Sequence, residues 1–292
     1  MNRLFSTILF ATVIASLSLP SLAQNKIIVE NDIEFANPDN QHLQLNMARP
    51  ADATSASPAI ICIHGGGFRA GTRDGYNGLI KQLAEQGFVA VTVTYRLAPK
   101  YQFPAAVYDC KEAVRWLRAN AKKYNIDPHR IGATGGSAGG HLAQFLGVTI
   151  GVKEFEGPGA NQDYSSAVNC VVNFYGPSDF TKSYGKSVDA AEVLPLFLGG
   201  NAESAHKAHI RSSPLYWVTP NAAPTLCIHG TKDPYVAFEQ AVWMVDKLKA
   251  SEVEAELMTM EGAGHGFGGE DAKRADAAMF AYFKSHLMGG TK

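Results

Sequence analysis

The sequence predicts an α/β fold: a mostly parallel central sheet with helices on both faces and a small insertion at about residues 178–222. Three observations carry this expectation. Strand-like and helix-like segments alternate along the chain, a rhythm that builds a parallel sheet covered on both sides. The strands near the middle are continuous apolar runs, as strands buried on two faces must be. No linker or internal repeat interrupts the alternation, so one domain over residues 24–292 accounts for the chain.

Residues 1–23 read as a secretory signal. Arg3 supplies a positive start, Leu4 to Leu19 an apolar stretch, and Ser21-Leu22-Ala23 the small residues of a cleavage site. The apolar run falls short of the ~20 residues needed to span a bilayer. This reading places the mature protein in the periplasm or outside the cell, with no membrane span after cleavage. In the mature chain, residues 27–35 and 42–48 form strands, with Leu43, Leu45 and Met47 alternating with polar neighbours. Ala59 to Ile63 is a fully apolar strand, 77–86 a helix, and Phe88 to Tyr95 a strand rich in Val and Thr. From Pro104 to Tyr124, the residues Val107, Cys110, Val114 and Leu117 recur at helical spacing. Arg130 to Thr134 is the next strand, followed by a helix from His141 and a strand from Val168 to Tyr175. After the insertion, with a helical fragment at Val193 to Leu198, come a strand at Thr225 to His229 and a helix at Val236 to Lys249. A strand at Glu254 to Met260 and a helix at Ala272 to Leu287 complete the series.

Composition narrows the function. The chain is 46% hydrophobic and 18% charged, with a net charge of −1. That is too apolar for a disordered chain and lacks the basic excess of a nucleic-acid binder. The four cysteines are too few for a disulfide scaffold, and Cys62, Cys110, Cys170 and Cys227 fall in strands and a helix, where packed thiols are expected. Glycine is the exception. Of 28 glycines, 12 lie at 65–67, 135–140 and 262–269, in three loops that each follow a strand. Ligands of open α/β sheets sit at the carboxyl ends of strands, so these loops can converge.

Each loop carries chemistry. Gly135-Gly136-Ser137-Ala138-Gly139 fits G-x-S-x-G between a strand and a helix. A tight turn exposes the Ser137 hydroxyl, and the helix N-terminus beneath it favours developing negative charge. Gly65-Gly66-Gly67 can turn backbone N–H groups inward without a Cβ in the way. Gly66 and Gly67, with the N–H of Ala138, are candidate donors to an oxyanion. No Gly-Lys-Ser/Thr or dinucleotide fingerprint follows, which disfavours a phosphate cradle.

A serine hydroxyl needs a histidine to take its proton and a carboxylate to hold that histidine. After Ser137 the histidines are His141, His206, His209, His229, His265 and His286. His265, in a glycine-flanked loop after the last strand, is the candidate base. His141 is expected to pack beneath the site, His229 to support its own turn, and His64 to fix the shape of the glycine loop. Asp233 and Asp179 both follow strands. Asp233 occupies the more usual place for the acid, and Asp179 suits a turn or cap. Phe68, Tyr76, Tyr175, Trp217 and Phe267 flank the loops and are candidates to line an acyl pocket.

Taken together, His64-Gly65-Gly66-Gly67-Phe68, Tyr95-Arg96-Leu97-Ala98-Pro99, Phe103-Pro104-Ala105-Ala106, Asp127-Pro128 before Arg130-Ile131, the Ser137 turn, Asp233-Pro234 and Gly264-His265-Gly266-Phe267 resemble the α/β-hydrolase fold. Within it, the chain is similar to the hormone-sensitive-lipase-like esterases, and most similar to small secreted carbohydrate esterases of the acetylxylan and feruloyl type. The resemblance implies a Ser137–Asp233–His265 triad, a carboxylic ester hydrolase with no metal or cofactor, and a small-molecule or polysaccharide ester as substrate. Two other readings share the fold. A serine peptidase of the prolyl-oligopeptidase type usually carries a large accessory domain, for which residues 24–292 leave no room. A non-catalytic binding protein usually lacks triad members.

Overall fold

The computed structural model describes residues 26–289, so the expected signal segment lies outside the described residues. Eight strands form one sheet, β1 (Ile27–Ala36), β2 (Leu43–Pro50), β3 (Ser57–Ile63), β4 (Val89–Val93), β5 (Ile126–Gly136), β6 (Cys170–Phe174), β7 (Thr225–Gly230) and β8 (Ala255–Met260), in the order β1-β2-β4-β3-β5-β6-β7-β8. β2 runs antiparallel to both β1 and β4, and the other pairings are parallel. The helices are α1 (Asn77–Glu85), α2 (Ala105–Ala119), α3 (Ala121–Tyr124), α4 (Ala138–Val148), α5 (Ala190–Leu198), α6 (His206–Arg211), α7 (Glu239–Ala250) and α8 (Gly269–Phe283).

The period-2 geometry of β3 explains the layering. Ala59, Ile61 and Ile63 face a core shared with α2 and α4, whereas Ile60 and Cys62 face a core shared with α1 and α8. All five are fully buried. Each isoleucine contributes roughly 1.5–3 kcal/mol by leaving water. A third cluster lies under α7, from Met244, Val245 and Leu248. The four cysteines are buried thiols.

Several helix boundaries differ from the sequence expectation, among them the starts of α4 at Ala138 rather than His141 and of α5 at Ala190 rather than Val193. The helix expected to begin at Val236 begins at Glu239, because Asp233 Oδ1 accepts the N–H groups of Tyr235 and Val236, both at 2.9 Å, and holds that stretch as a turn. The helix expected to reach Tyr124 breaks at Asn120, whose side-chain amide donates to the Trp116 carbonyl at 3.0 Å. The last helix starts one turn early, at Gly269, and ends in a π turn over Lys284–Met288. The insertion between β6 and β7 holds α5 and α6 and lies at the carboxyl end of the sheet, where the loops after β3, β5, β7 and β8 also gather.

Candidate active site

The turn after β5 places Ser137 at φ +56° and ψ −122°. A non-glycine residue there stores about 1–3 kcal/mol of strain, held only because its surroundings fix it. The Ser137 N–H donates to the Phe174 carbonyl at 2.9 Å, and its carbonyl accepts the His141 N–H at 3.0 Å to start α4. Close packing accounts for Gly139: a Cβ there would lie 1.9 Å from the Ile63 carbonyl oxygen. His141 packs beneath, fully buried, with Phe68 and Phe180 at ring distances of 5.2 and 4.7 Å. Its Nδ1 lies 3.1 Å from the Pro177 carbonyl, and burial pushes the imidazole down to about 3, so it is neutral.

The loop after β3 brings the glycines beside this turn. Gly66 has φ +115°, and a Cβ on it would sit 2.2 Å from the Ala70 carbonyl oxygen. The N–H groups of Gly66 and Gly67 take no acceptor from among the described residues, and both glycines line the cavity described below. The loop is held from behind. His64 Nδ1 lies 2.8 Å from the Gly65 carbonyl, and its ring stacks on Tyr95 at 4.3 Å. The Tyr95 hydroxyl donates to the His64 carbonyl at 2.9 Å.

The loops after β7 and β8 meet through Asp233 and His265. His265 Nδ1 lies 2.7 Å from Asp233 Oδ2. The Asp233 side chain is fully buried, and that of His265 is 20% exposed. Burial would raise the Asp233 carboxyl, but hydrogen bonds from His229, His265 and the Val236 N–H outweigh it and hold the group well below the usual carboxylate range. His229 does brace its own turn, with Nε2 2.8 Å from the Val236 carbonyl. Asp179 is engaged elsewhere. It accepts from the Thr181 N–H at 3.0 Å and the Thr181 hydroxyl at 2.6 Å, capping a short 3-10 turn, and none of its contacts reaches His265.

Ser137 and His265 line one cavity of about 500 Å³, together with Gly66, Gly67 and Ala138. Of the residues expected to line a pocket, Phe68, Tyr76 and Tyr175 do so. Phe267 does not. It lies on a neighbouring cavity of about 120 Å³ and backs Tyr175 edge-on at 5.3 Å. The expectation for Trp217 is corrected. Its indole N–H donates to the Arg211 carbonyl at 2.8 Å and its ring stands edge-on to Phe155 at 4.8 Å, so it anchors the insertion to the core. The wall is supplied instead by α5, through Val193 and Leu194, and by Lys186, Asp189 and Tyr235. Tyr235 is 46% exposed, with its ring 5.3 Å from that of His265. Among the described residues, no group of three or more His, Cys, Asp or Glu is arranged to hold a metal, and no helix is long and apolar enough to cross a membrane.

The BD-FAE family pattern matches residues 45–248, which include the glycine loop, Ser137 and Asp233. The chain belongs to the BD-FAE family. Esterase LipC of Mycobacterium tuberculosis is 33% identical over 233 residues, covering 78% of this BD-FAE chain and 57% of LipC. The chain spans about half the length of the first curated relatives it matches. A truncated carbohydrate esterase from gut microbiota superposes with a TM-score of 0.80 at 27% identity, over 92% of this chain and 99% of that one. Esterase Est2 of Thermogutta terrifontis, with propionate bound, superposes with a TM-score of 0.73 at 28% identity, over 94% and 98%. The fold of this BD-FAE member is that of the α/β-hydrolase esterases.

Proposed function

We propose that the protein is an exported serine esterase that hydrolyses short-chain or carbohydrate-linked acetyl or feruloyl esters. The Ser137 hydroxyl attacks the ester carbonyl while His265 takes its proton. Asp233 holds the imidazole as the Nδ1–H tautomer and stabilises its charged form. The carbonyl oxygen becomes an oxyanion facing the N–H groups of Gly66, Gly67 and Ala138. His265 then gives its proton to the departing alcohol, leaving an acyl-enzyme. Water, deprotonated by the same histidine, releases the acid. The reaction so written needs no metal and no cofactor.

One observation carries this reading: the buried Asp233 carboxylate grips His265, which shares a cavity with the strained Ser137 turn. The substrate class draws support from the carbohydrate esterase and the propionate-bound esterase that superpose on the chain. Export rests on residues 1–23. The test is a panel of p-nitrophenyl esters of rising chain length, acetylated xylan, methyl ferulate and dipeptidyl amides, run on the wild-type protein and Ser137→Ala. The expected result is ester turnover by the wild type alone, fastest on acetyl or feruloyl compounds. Amides cleaved faster than esters would assign a peptidase instead.

A further inference from the structure

Asp233 is held by more than one histidine. His229, at the end of β7, is completely buried, and its Nε2 lies 3.3 Å from Asp233 Oδ2, the same oxygen that meets His265. Its shorter contact, 2.8 Å, is to the Val236 carbonyl. The other ring nitrogen, Nδ1, is buried without any hydrogen-bond partner. A proton on Nδ1 would have no acceptor, whereas Nε2 faces two oxygens, so the ring is fixed as the Nε2–H tautomer. That single N–H points chiefly at the backbone carbonyl, with the carboxylate oxygen beside it at 3.3 Å. Asp233 thus has donors on every side: two backbone N–H groups on Oδ1 and two imidazoles on Oδ2.

We propose that His229 is a positioning residue that tunes Asp233, drawing electron density from Oδ2 and so weakening its hold on the protonated form of His265. The proposal rests on the reading of His265 as the base. A carboxylate relieved of one donor is more basic and stabilises a neighbouring imidazolium more. His265 works as a base only when neutral, so the donor from His229 extends activity toward lower pH. The other titratable groups around this cluster are Glu239 at the start of α7, which pairs with Lys186 at 3.2 Å, Tyr175 after β6, which feels the Asp233 charge, and Tyr235, whose ring lies 5.3 Å from that of His265. The Phe238 ring stands edge-on to His229 at 5.9 Å and adds no charge.

The test compares pH profiles of kcat/KM on p-nitrophenyl acetate for the wild type, His229→Phe and His229→Gln, with thermal unfolding of each. Phe fills the space without a donor, and Gln restores an N–H at the reach of Nε2. The expected result is an acid limb displaced upward by about 0.5–1 pH in His229→Phe, so that activity on that limb falls roughly three- to tenfold against the plateau, and a limb restored in His229→Gln. A limb that stays in place while only the plateau and Tm fall would show that His229 merely packs, and would overturn the proposal. If His229→Phe does not fold, nitrogen-15 NMR of the histidines in the wild type decides: a His229 Nδ1–H tautomer overturns the proposal, and Nε2–H supports it. Ser137→Ala, run alongside, reports separately on the site itself, because full activity there would sink the base assignment rather than the tuning.

Discussion

The His265 imidazole and the Asp233 carboxylate, 32 residues apart in the chain, stand 2.7 Å apart at the ends of the two neighbouring strands β8 and β7. The aspartate is fully buried and the histidine reaches into the cavity. That asymmetry is what a proton shuttle needs, with a fixed charge behind a reachable base. Asp233→Asn keeps the shape but favours the wrong tautomer of His265. It is expected to lower kcat by roughly 10⁴-fold with the protein still folded. Steady-state kinetics with circular dichroism checks this, and a loss below tenfold would contradict the role.

Val193 of α5 lines the cavity beside Gly67, where the proposed mechanism puts the acyl side of the ester. Its two γ-methyls would lie 3.4 Å from a Cβ placed on Gly67, directly beside the proposed oxyanion donors. Val193→Ala opens that wall. A methylene in such a pocket is worth about 1–3 kcal/mol, so the ratio of kcat/KM for butyrate over acetate is expected to rise about tenfold. An unchanged ratio across a p-nitrophenyl ester series would place the acyl group elsewhere.

His141 gives the protein an acid sensitivity unrelated to catalysis. Burial lowers its imidazole from 6.5 to about 3, so the unfolded chain binds a proton that the folded chain refuses. The contribution of this site is fully present above about pH 6.5 and declines as pH falls toward 3, with a slope of up to about 1.4 kcal/mol per pH. His141→Asn, which keeps a donor for the Pro177 carbonyl, is expected to flatten stability against pH over that window. Urea unfolding at pH 7, 6, 5 and 4 measures it.

α2 carries a buried ion network. Arg115 Nη2 lies 2.8 Å from Glu112 and Nη1 lies 2.8 Å from Glu156, while Lys111 lies 2.9 Å from Glu156. Arg115 and Lys111 are 1% and 0% exposed. Arg115→Met leaves the buried Glu112 carboxylate short of its cation and is expected to cost about 3–5 kcal/mol. Differential scanning calorimetry should show Tm lower by roughly 10 °C.

These cases mark how far the sequence could be read. Alternation and spacing located the strands, and the glycine loops pointed to Ser137 and His265, with Asp233 read from its place after the next-to-last strand, because tight turns and period-2 burial leave local signatures. The apolar stripe of α2 was legible, but its Lys111-Glu112-Arg115 face reads as solvated until the segment around Glu156 closes over it. Trp217 was misplaced because nothing local distinguishes an aromatic that floors an insertion from one that walls a cavity. Val193 and Tyr235 reach the cavity only through the path of the insertion and the Asp233 turn, which no periodicity encodes. The contact between His229 and Asp233 needs the turn held by Val236, so the sequence yielded only the half of its role that concerns that turn.

The central claim is that Ser137 is the nucleophile. The most direct measurement is the intact mass of the protein after reaction with a fluorophosphonate, followed by peptide mapping. The account predicts one adduct per chain, located on Ser137 and absent from Ser137→Ala. No adduct on the wild type, or equal labelling of Ser137→Ala, would contradict it.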